Sequence, residues 1–255
     1  MPDEVRYELR GSAAWLTIDR EAQRNTLTLA AVEQLLGHLD RAEADPAVRA
    51  VCLTGAGEKV FCAGADLSAL GGEGADAGAT RYAALLKRLR ALGKPLVARV
   101  NGHCLAGGLG PMLACDVAVA REGIRVGVPE VTVGLFPMMV AALLLRDGLR
   151  KKVLELVYTG EPVTAREAEA AGLLSRVVPD GELDQAVEKV LGRIAAVAPL
   201  AVQLGRRALA EAEGPHLDQA LDLLSRRLGD VLATEDAAEG LSAFLERRSP
   251  RWKGR

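Results

Sequence analysis

The sequence predicts an α/β fold in which strand–strand–helix units repeat through the first two thirds and helices alone fill the rest. Three observations carry this. Short β-branched runs alternate with amphipathic helical runs up to about residue 160. Beyond that point helical periods dominate, broken by one short strand, LSRVV at 174–178. A chain of 255 residues with a 49% hydrophobic fraction is also long and apolar enough for a sizeable core. The expected division is a layered core over residues 1–198 and a helical region over 199–255, meeting at Pro199.

The elements follow in order. VRYELR and AAWLTID read as two strands around a Gly-Ser turn. RAVCLTG and LVARVNG read as buried strands, and CDVAVA and IRVGV as two more. Between them a helix opens at Thr28, an N-cap residue, and carries its apolar stripe on Val32, Leu35, Leu36 and Leu39. A second helix sets Tyr82, Leu85, Leu86, Leu89 and Leu92 on one face and stops at Gly93, with Pro95 beyond. Thr164 to Glu167 forms a capping box, and Gly172 ends that helix. Further helices start near Asp184, Leu200, His216 and Thr234. The small, polar run LGGEGADAGAT at 70–80 predicts a mobile loop.

Composition excludes several function classes. A formal net charge of -2 gives no electrostatic footprint for nucleic acid or an anionic membrane, so a small-molecule partner is expected. The long uncharged run Val131 to Leu145 contains Gly134 and Pro137 and is shorter than the ~20 apolar residues of a membrane span. The N-terminus lacks the apolar core of a signal peptide, and a cytoplasmic protein is expected. Cys52, Cys62, Cys104 and Cys115 are too widely spaced for a CxxC metal or redox motif and read as buried free thiols; no metal site is expected.

The chemistry centres on two small-residue turns and one carboxylate. FCAGAD at 61–66 follows the strand RAVCLTG, and AGGLG at 106–110 follows another strand-like run. Neither is a nucleotide loop: GxxxxGK[ST] is absent, and Leu113 stands where a dinucleotide fingerprint needs Gly or Ala. Turns of this kind expose backbone amides, and a helix beginning after Gly108 would add its unpaired first N–H groups and its dipole. Two amides aimed at one point bind a developing oxyanion. In VGVPEVTVGLFP, Glu130 is the only charge between Arg125 and Arg146. Such a carboxylate is paired, lies at a surface turn, or is an acid/base whose pKa is raised by apolar surroundings.

FCAGADL, VNGHCLAGGLG and PEVTVGLFP, in that order and at these separations, resemble the enoyl-CoA hydratase/isomerase (crotonase) family. The resemblance runs from RNTLT at 24–28 to AFLERR at 243–248. It implies a crotonase-like spiral of repeated ββα units with a C-terminal helical region that packs subunits into a homotrimer or a dimer of trimers. It also implies an acyl-CoA thioester as substrate, coenzyme A arriving with it, and no separate cofactor.

The amides of Ala65 and Gly107 match the positions that hold the thioester oxygen in relatives, and Glu130 matches the carboxylate of the later PE turn. Arg24 matches a basic residue near the coenzyme entrance, and Ala63, Gly64, Asp66 and Leu67 lie where relatives hold adenine and pantetheine. Phe244 and Arg247 match a terminal-helix pair that reaches the nucleotide, often across a subunit boundary. Arg suits phosphate because its planar fork gives two parallel donors; the plain alternative for each arginine is a solvated surface charge. Asp66 is also suited to fixing its own turn.

One departure bears on the reaction. Typical hydratases carry a second glutamate three residues after the oxyanion glycine, where this chain has Gly110. A single carboxylate suffices to shuttle a proton between two carbons, as 3-enoyl to 2-enoyl isomerisation requires, whereas hydration needs water oriented as well. The expectation is an isomerase-like enzyme, with enoyl-CoA hydration as the alternative. A catalytically weak acyl-CoA-binding or RNA-binding member, with RRSPRWKGR as its basic patch, is the reading from another class. Phe136, Met138 and Met139 are candidates for the acyl pocket beside Gly110, with Pro137 as first residue of a helix. His103 is the one histidine adjacent to the second glycine turn.

Overall fold

A computed structural model describes residues 3–65 and 75–255. The chain winds so that successive strand pairs split between two sheets. The large sheet has the order β1 (Val5–Arg10), β2 (Ala13–Ile18), β3 (Ala50–Gly55), β5 (Leu96–Val100), β7 (Val117–Arg121), β10 (Arg176–Val178). The small one has the order β4 (Val60–Cys62), β6 (His103–Leu105), β8 (Arg125–Gly127), β9 (Val163–Thr164). β1 and β2 form an antiparallel hairpin, and from β2 onward the large sheet is parallel. Each of β3, β5 and β7 is followed by its short partner in the small sheet, which is the repeat the sequence predicts.

Both faces of the inner strands β2, β3 and β5 are buried, which is why these strands read as continuous apolar runs. Alternate residues face opposite ways. Leu16, Ile18, Val51 and Leu53 join the main core beneath α1 (Leu29–Ala44) and α2 (Ala75–Ala91). Trp15, Cys52, Val97 and Val119 pack with Leu183, Val187 and Leu191 of α7 (Leu183–Ala195) on the other face. Cys52, Cys62 and Cys104 are fully buried free thiols, and Cys115 is partly buried. Burial pushes the Cys52 and Cys62 thiols up to about 12, which makes them inert.

Local signals place the helix ends. The Thr28 hydroxyl accepts from the Ala31 amide, and Thr164 and Glu167 form the reciprocal capping box that opens α6 (Ala165–Ala170). Gly172, at φ +83°, ends the turn that follows. The last three helices are α8 (Pro199–Ala212), α9 (Leu217–Leu232) and α10 (Glu235–Leu245), capped by His216 in backbone only and by the Thr234 hydroxyl. Among the described residues no helix is long and apolar enough to cross a membrane.

Three expectations change. Of the loop expected at 70–80, residues 70–74 lie outside the described residues, and from Ala75 onward the chain is already α2. The buried stripe of the later turns, Tyr82 to Leu92, extends a helix backward through alanine, the strongest helix former. The helix after Gly108, α3 (Leu109–Leu113), has only five residues, so exposed amides and not a long macrodipole supply the positive potential there. Pro137 caps α4 (Met138–Asp147) from outside it, and α5 (Arg150–Thr159) follows, a helix the sequence pattern did not single out.

Candidate active site

The small sheet assembles the site. β4, β6 and β8 are parallel neighbours, with Cys62 opposite Cys104 and Leu105 opposite Gly127. Their carboxyl ends therefore release three segments side by side: Ala63–Ala65, the 3-10 turn Ala106–Gly108, and the 3-10 turn Pro129–Val133 that carries Glu130. The carboxyl ends of parallel strands are where open α/β folds hold ligands.

The first two turns touch main chain to main chain. Gly64 has φ +92°, and a Cβ there would lie 2.8 Å from the Gly107 nitrogen. A Cβ on Gly107 would lie 3.4 Å from the Ala65 nitrogen, and one on Gly108 would run into the Cys62 carbonyl. Leu27 N–H donates to the Gly64 carbonyl at 2.8 Å. That pairing leaves the Ala65 N–H on the side of the pleat away from Leu27. Neither the Ala65 nor the Gly107 amide donates to another group among the described residues. Ala106, at φ +51°, holds its turn in the left-handed region that non-glycine residues rarely adopt, a strain found at functional sites.

Glu130 occupies the second position of its 3-10 turn, after Pro129 and before Gly134 at φ +79°. Its carbonyl accepts from Leu135 N–H at 3.0 Å. One carboxylate oxygen, Oε2, is buried with no partner among the described residues. Burial raises its pKa above the ordinary carboxylate value, offset in part by its own backbone amide. Among the described residues Oε2 has no partner, and the burial that raises the carboxyl's pKa is the environment an acid/base would need.

Position 110 is already filled. A Cβ on Gly110 would collide with the Tyr82 hydroxyl and stand 3.0 Å from both Tyr82 Cζ and Leu86 Cδ2. Tyr82 is 8% exposed, and its hydroxyl donates to the Gly107 carbonyl. Burial, then the neighbouring Cys62, Cys104 and Glu130, push its pKa well above the usual phenol range, so it keeps its proton.

The model matching residues 8–255 is that of enoyl-CoA hydratase/isomerase. The chain belongs to this family. Its curated relatives include the 2,3-dehydroadipyl-CoA hydratase of Escherichia coli, 38% identical with 94% of each chain covered. Another is the short-chain-enoyl-CoA hydratase of Clostridium acetobutylicum, 34% identical with 96% of each covered. Among solved structures, enoyl-CoA hydratase from Bacillus anthracis superposes with a TM-score of 0.94 at 32% identity, covering 99% of this chain and 100% of that one. Human enoyl-CoA hydratase domain-containing protein 3 gives 0.93 at 30% identity, covering 98% and 100%. The crotonase fold and an enzyme of this family are thereby established.

In this member of the family Arg24 sits beside the first turn, its carbonyl accepting from Ala63 N–H at 3.2 Å and its side chain exposed. Asp66 and Leu67 lie outside the described residues. Phe244, 80% exposed, and Arg247 project from the end of α10, which packs on α8 and α9; no hydrogen bond ties either side chain to the glycine turns among the described residues. Met139 packs against the core, whereas Phe136 is partly exposed and Met138 is 72% exposed, so Met138 joins no core within this chain. His103 begins β6 at its amino end, where Nδ1 accepts from Arg125 N–H at 2.9 Å; the turns leave from the other end.

Sequence reasoning passed over three residues that build the site. Buried Asn25 donates to the Ala56 and Val60 carbonyls at 3.0 and 2.7 Å and accepts from Arg20 N–H, which ties RNTL to the loop between β3 and β4. Buried Asn101 accepts from Gly55 N–H and donates to the Gly57 carbonyl, fixing the same loop from the β5 side. The helical period places Tyr82 in the apolar stripe of its helix. A polar-tipped residue in such a stripe needs a partner, and that requirement was its available signal.

Proposed function

We propose that this protein isomerises 3-enoyl-CoA thioesters to their conjugated 2-enoyl isomers. The Ala65 and Gly107 N–H groups hold the thioester oxygen. Glu130 removes a proton from C2; the electron pair delocalises into the thioester and the adjacent C3–C4 double bond, and negative charge gathers on the oxygen between the two amides. The Glu130 carboxyl then returns its proton to C4, leaving the double bond between C2 and C3. Nothing is added or lost. The raised pKa of Glu130 suits both halves of the shuttle, since it strengthens the carboxylate as a base and keeps the acid available for the return step.

The observation that supports this reading is the buried Glu130 oxygen, without a partner among the described residues, beside a site whose other carboxylate position, Gly110, is filled by a phenol. Coenzyme A would lie along Arg24, Ala63, Gly64, Asp66 and Leu67, with Phe136, Met138 and Met139 bounding the acyl chain. Phe244 and Arg247 would reach the nucleotide end from a neighbouring subunit. Exposed Leu217, Leu221, Leu228 and Leu232 on α9, with Leu241 and Leu245 on α10, support assembly as a homotrimer or pair of trimers.

Hydration of 2-enoyl-CoA is the second reading, favoured by the hydratase names of the relatives. It requires Glu130 to activate water without a second carboxylate. Supplying the protein separately with 3-enoyl-CoA and 2-enoyl-CoA and following thioester conjugation by absorbance separates the two. A rise with the first substrate supports isomerisation; a fall with the second, and no rise with the first, overturns it in favour of hydration. Binding without either reaction leaves a catalytically weak acyl-CoA-binding member.

A further inference from the structure

The geometry points to Tyr82 as the residue that positions the Gly107 amide, acting through the backbone from the space that a side chain at position 110 would otherwise occupy. The inference rests on the reading of Gly107 as an oxyanion donor.

The segment Ala106–Gly110 holds three glycines, the residue type that restrains backbone least, yet an oxyanion donor works only when its direction is fixed before the charge develops. Two bonds restrain the segment. Leu109 N–H closes on the Ala106 carbonyl, and the Tyr82 hydroxyl donates to the Gly107 carbonyl while packing against the Gly110 backbone. The phenol thus holds the turn that contains the candidate donor. It reaches there from α2, whose own stripe of Leu85, Leu86 and Leu89 is buried, so the clamp is anchored in the main core.

The clamp and a side chain at 110 exclude one another. A Cβ at 110 collides with the hydroxyl, whereas removing only the hydroxyl leaves contacts at 3.0 Å to Cζ and to Leu86 Cδ2, which small shifts relieve. Glycine at 110 therefore accommodates Tyr82, and adding a glutamate there by itself would displace the phenol and not create a second working carboxylate.

The test is Tyr82→Phe in the full-length protein, read in two independent ways. Deuterium uptake of the peptide 104–112, followed by mass spectrometry, should accelerate about fivefold or more while peptides from β3 and β5 do not change. With 3-enoyl-CoA, kcat should fall about tenfold, short of the roughly 100- to 1,000-fold that follows outright loss of a donor, and the dissociation constant of butyryl-CoA should stay within about twofold. Gly110→Ala, which keeps the hydroxyl but pushes it aside, should reproduce both effects, and the double variant should be no worse than Tyr82→Phe alone. Unchanged uptake at 104–112, or additive losses in the double variant, overturns the inference. If the wild-type protein converts neither enoyl-CoA, the isomerase reading fails on that ground and the uptake measurement alone decides the role of Tyr82.

Discussion

The two sheets differ in what they are built from and in what they do. The large sheet is made chiefly of strands of five and six residues whose two faces are both covered, by the main core on one side and by α7 on the other. The small sheet has strands of two and three residues, yet all three candidate site segments leave from it. The first supplies most of the buried strand core, and the second carries the proposed site. Short strands suffice there because the small sheet is only a jig: pairing Cys62 with Cys104, and Leu105 with Gly127, is enough to set three turns abreast.

The sharpest way to separate the two regions is to remove the proposed acid/base group. Glu130→Gln should lower kcat for 3-enoyl-CoA by about 1,000-fold while leaving acyl-CoA binding within about threefold, measured by steady-state kinetics and calorimetry. Gly64→Ala probes the contact between the turns. Its Cβ would press on the Gly107 nitrogen and its φ is unfavourable for alanine, so kcat should fall about 100-fold with only a modest change in melting temperature. A substitution in the large sheet should do the reverse. Leu53→Ala, at a nearly inaccessible core position, should cost about 3 kcal/mol and lower the melting temperature by about 9 °C, while kcat of the folded fraction stays within about twofold.

Smaller effects come from the carboxylate itself. A group whose pKa is higher folded than unfolded favours the fold below its unfolded value and loses that contribution as pH rises through the folded one. Glu130→Gln should therefore raise the melting temperature at neutral pH by about 2 °C and flatten the decline in stability on the alkaline side of the carboxylate range. The acid limb of the wild-type kcat profile should correspondingly fall above the ordinary glutamate value of 4.5. An acid limb below it would mean that the carboxylate acquires a partner when substrate binds.

The same contrast governs what was legible in the sequence. Strands such as AAWLTI and AVCLTG announce themselves through β-branched and apolar runs, and Thr28, Thr164 and Gly172 mark helix ends through residue chemistry alone. VFC, HCL and the two-residue β9 are too short to show any period. The turns 63–65 and 106–110 were visible as small-residue clusters, and Glu130 as an isolated charge. Their meeting depends on the register of β4 against β6, which no local pattern encodes. Tyr82 was hidden because its ring obeys the helical period while its hydroxyl serves a turn 25 residues away.

The most direct measurement is the crystal structure of the protein with a saturated acyl-CoA bound. The thioester oxygen should lie about 2.7–3.1 Å from both the Ala65 and the Gly107 nitrogens, with a Glu130 carboxylate oxygen over C2. An oxygen that meets neither nitrogen, or a Glu130 carboxylate turned away to a protein partner, would contradict the account.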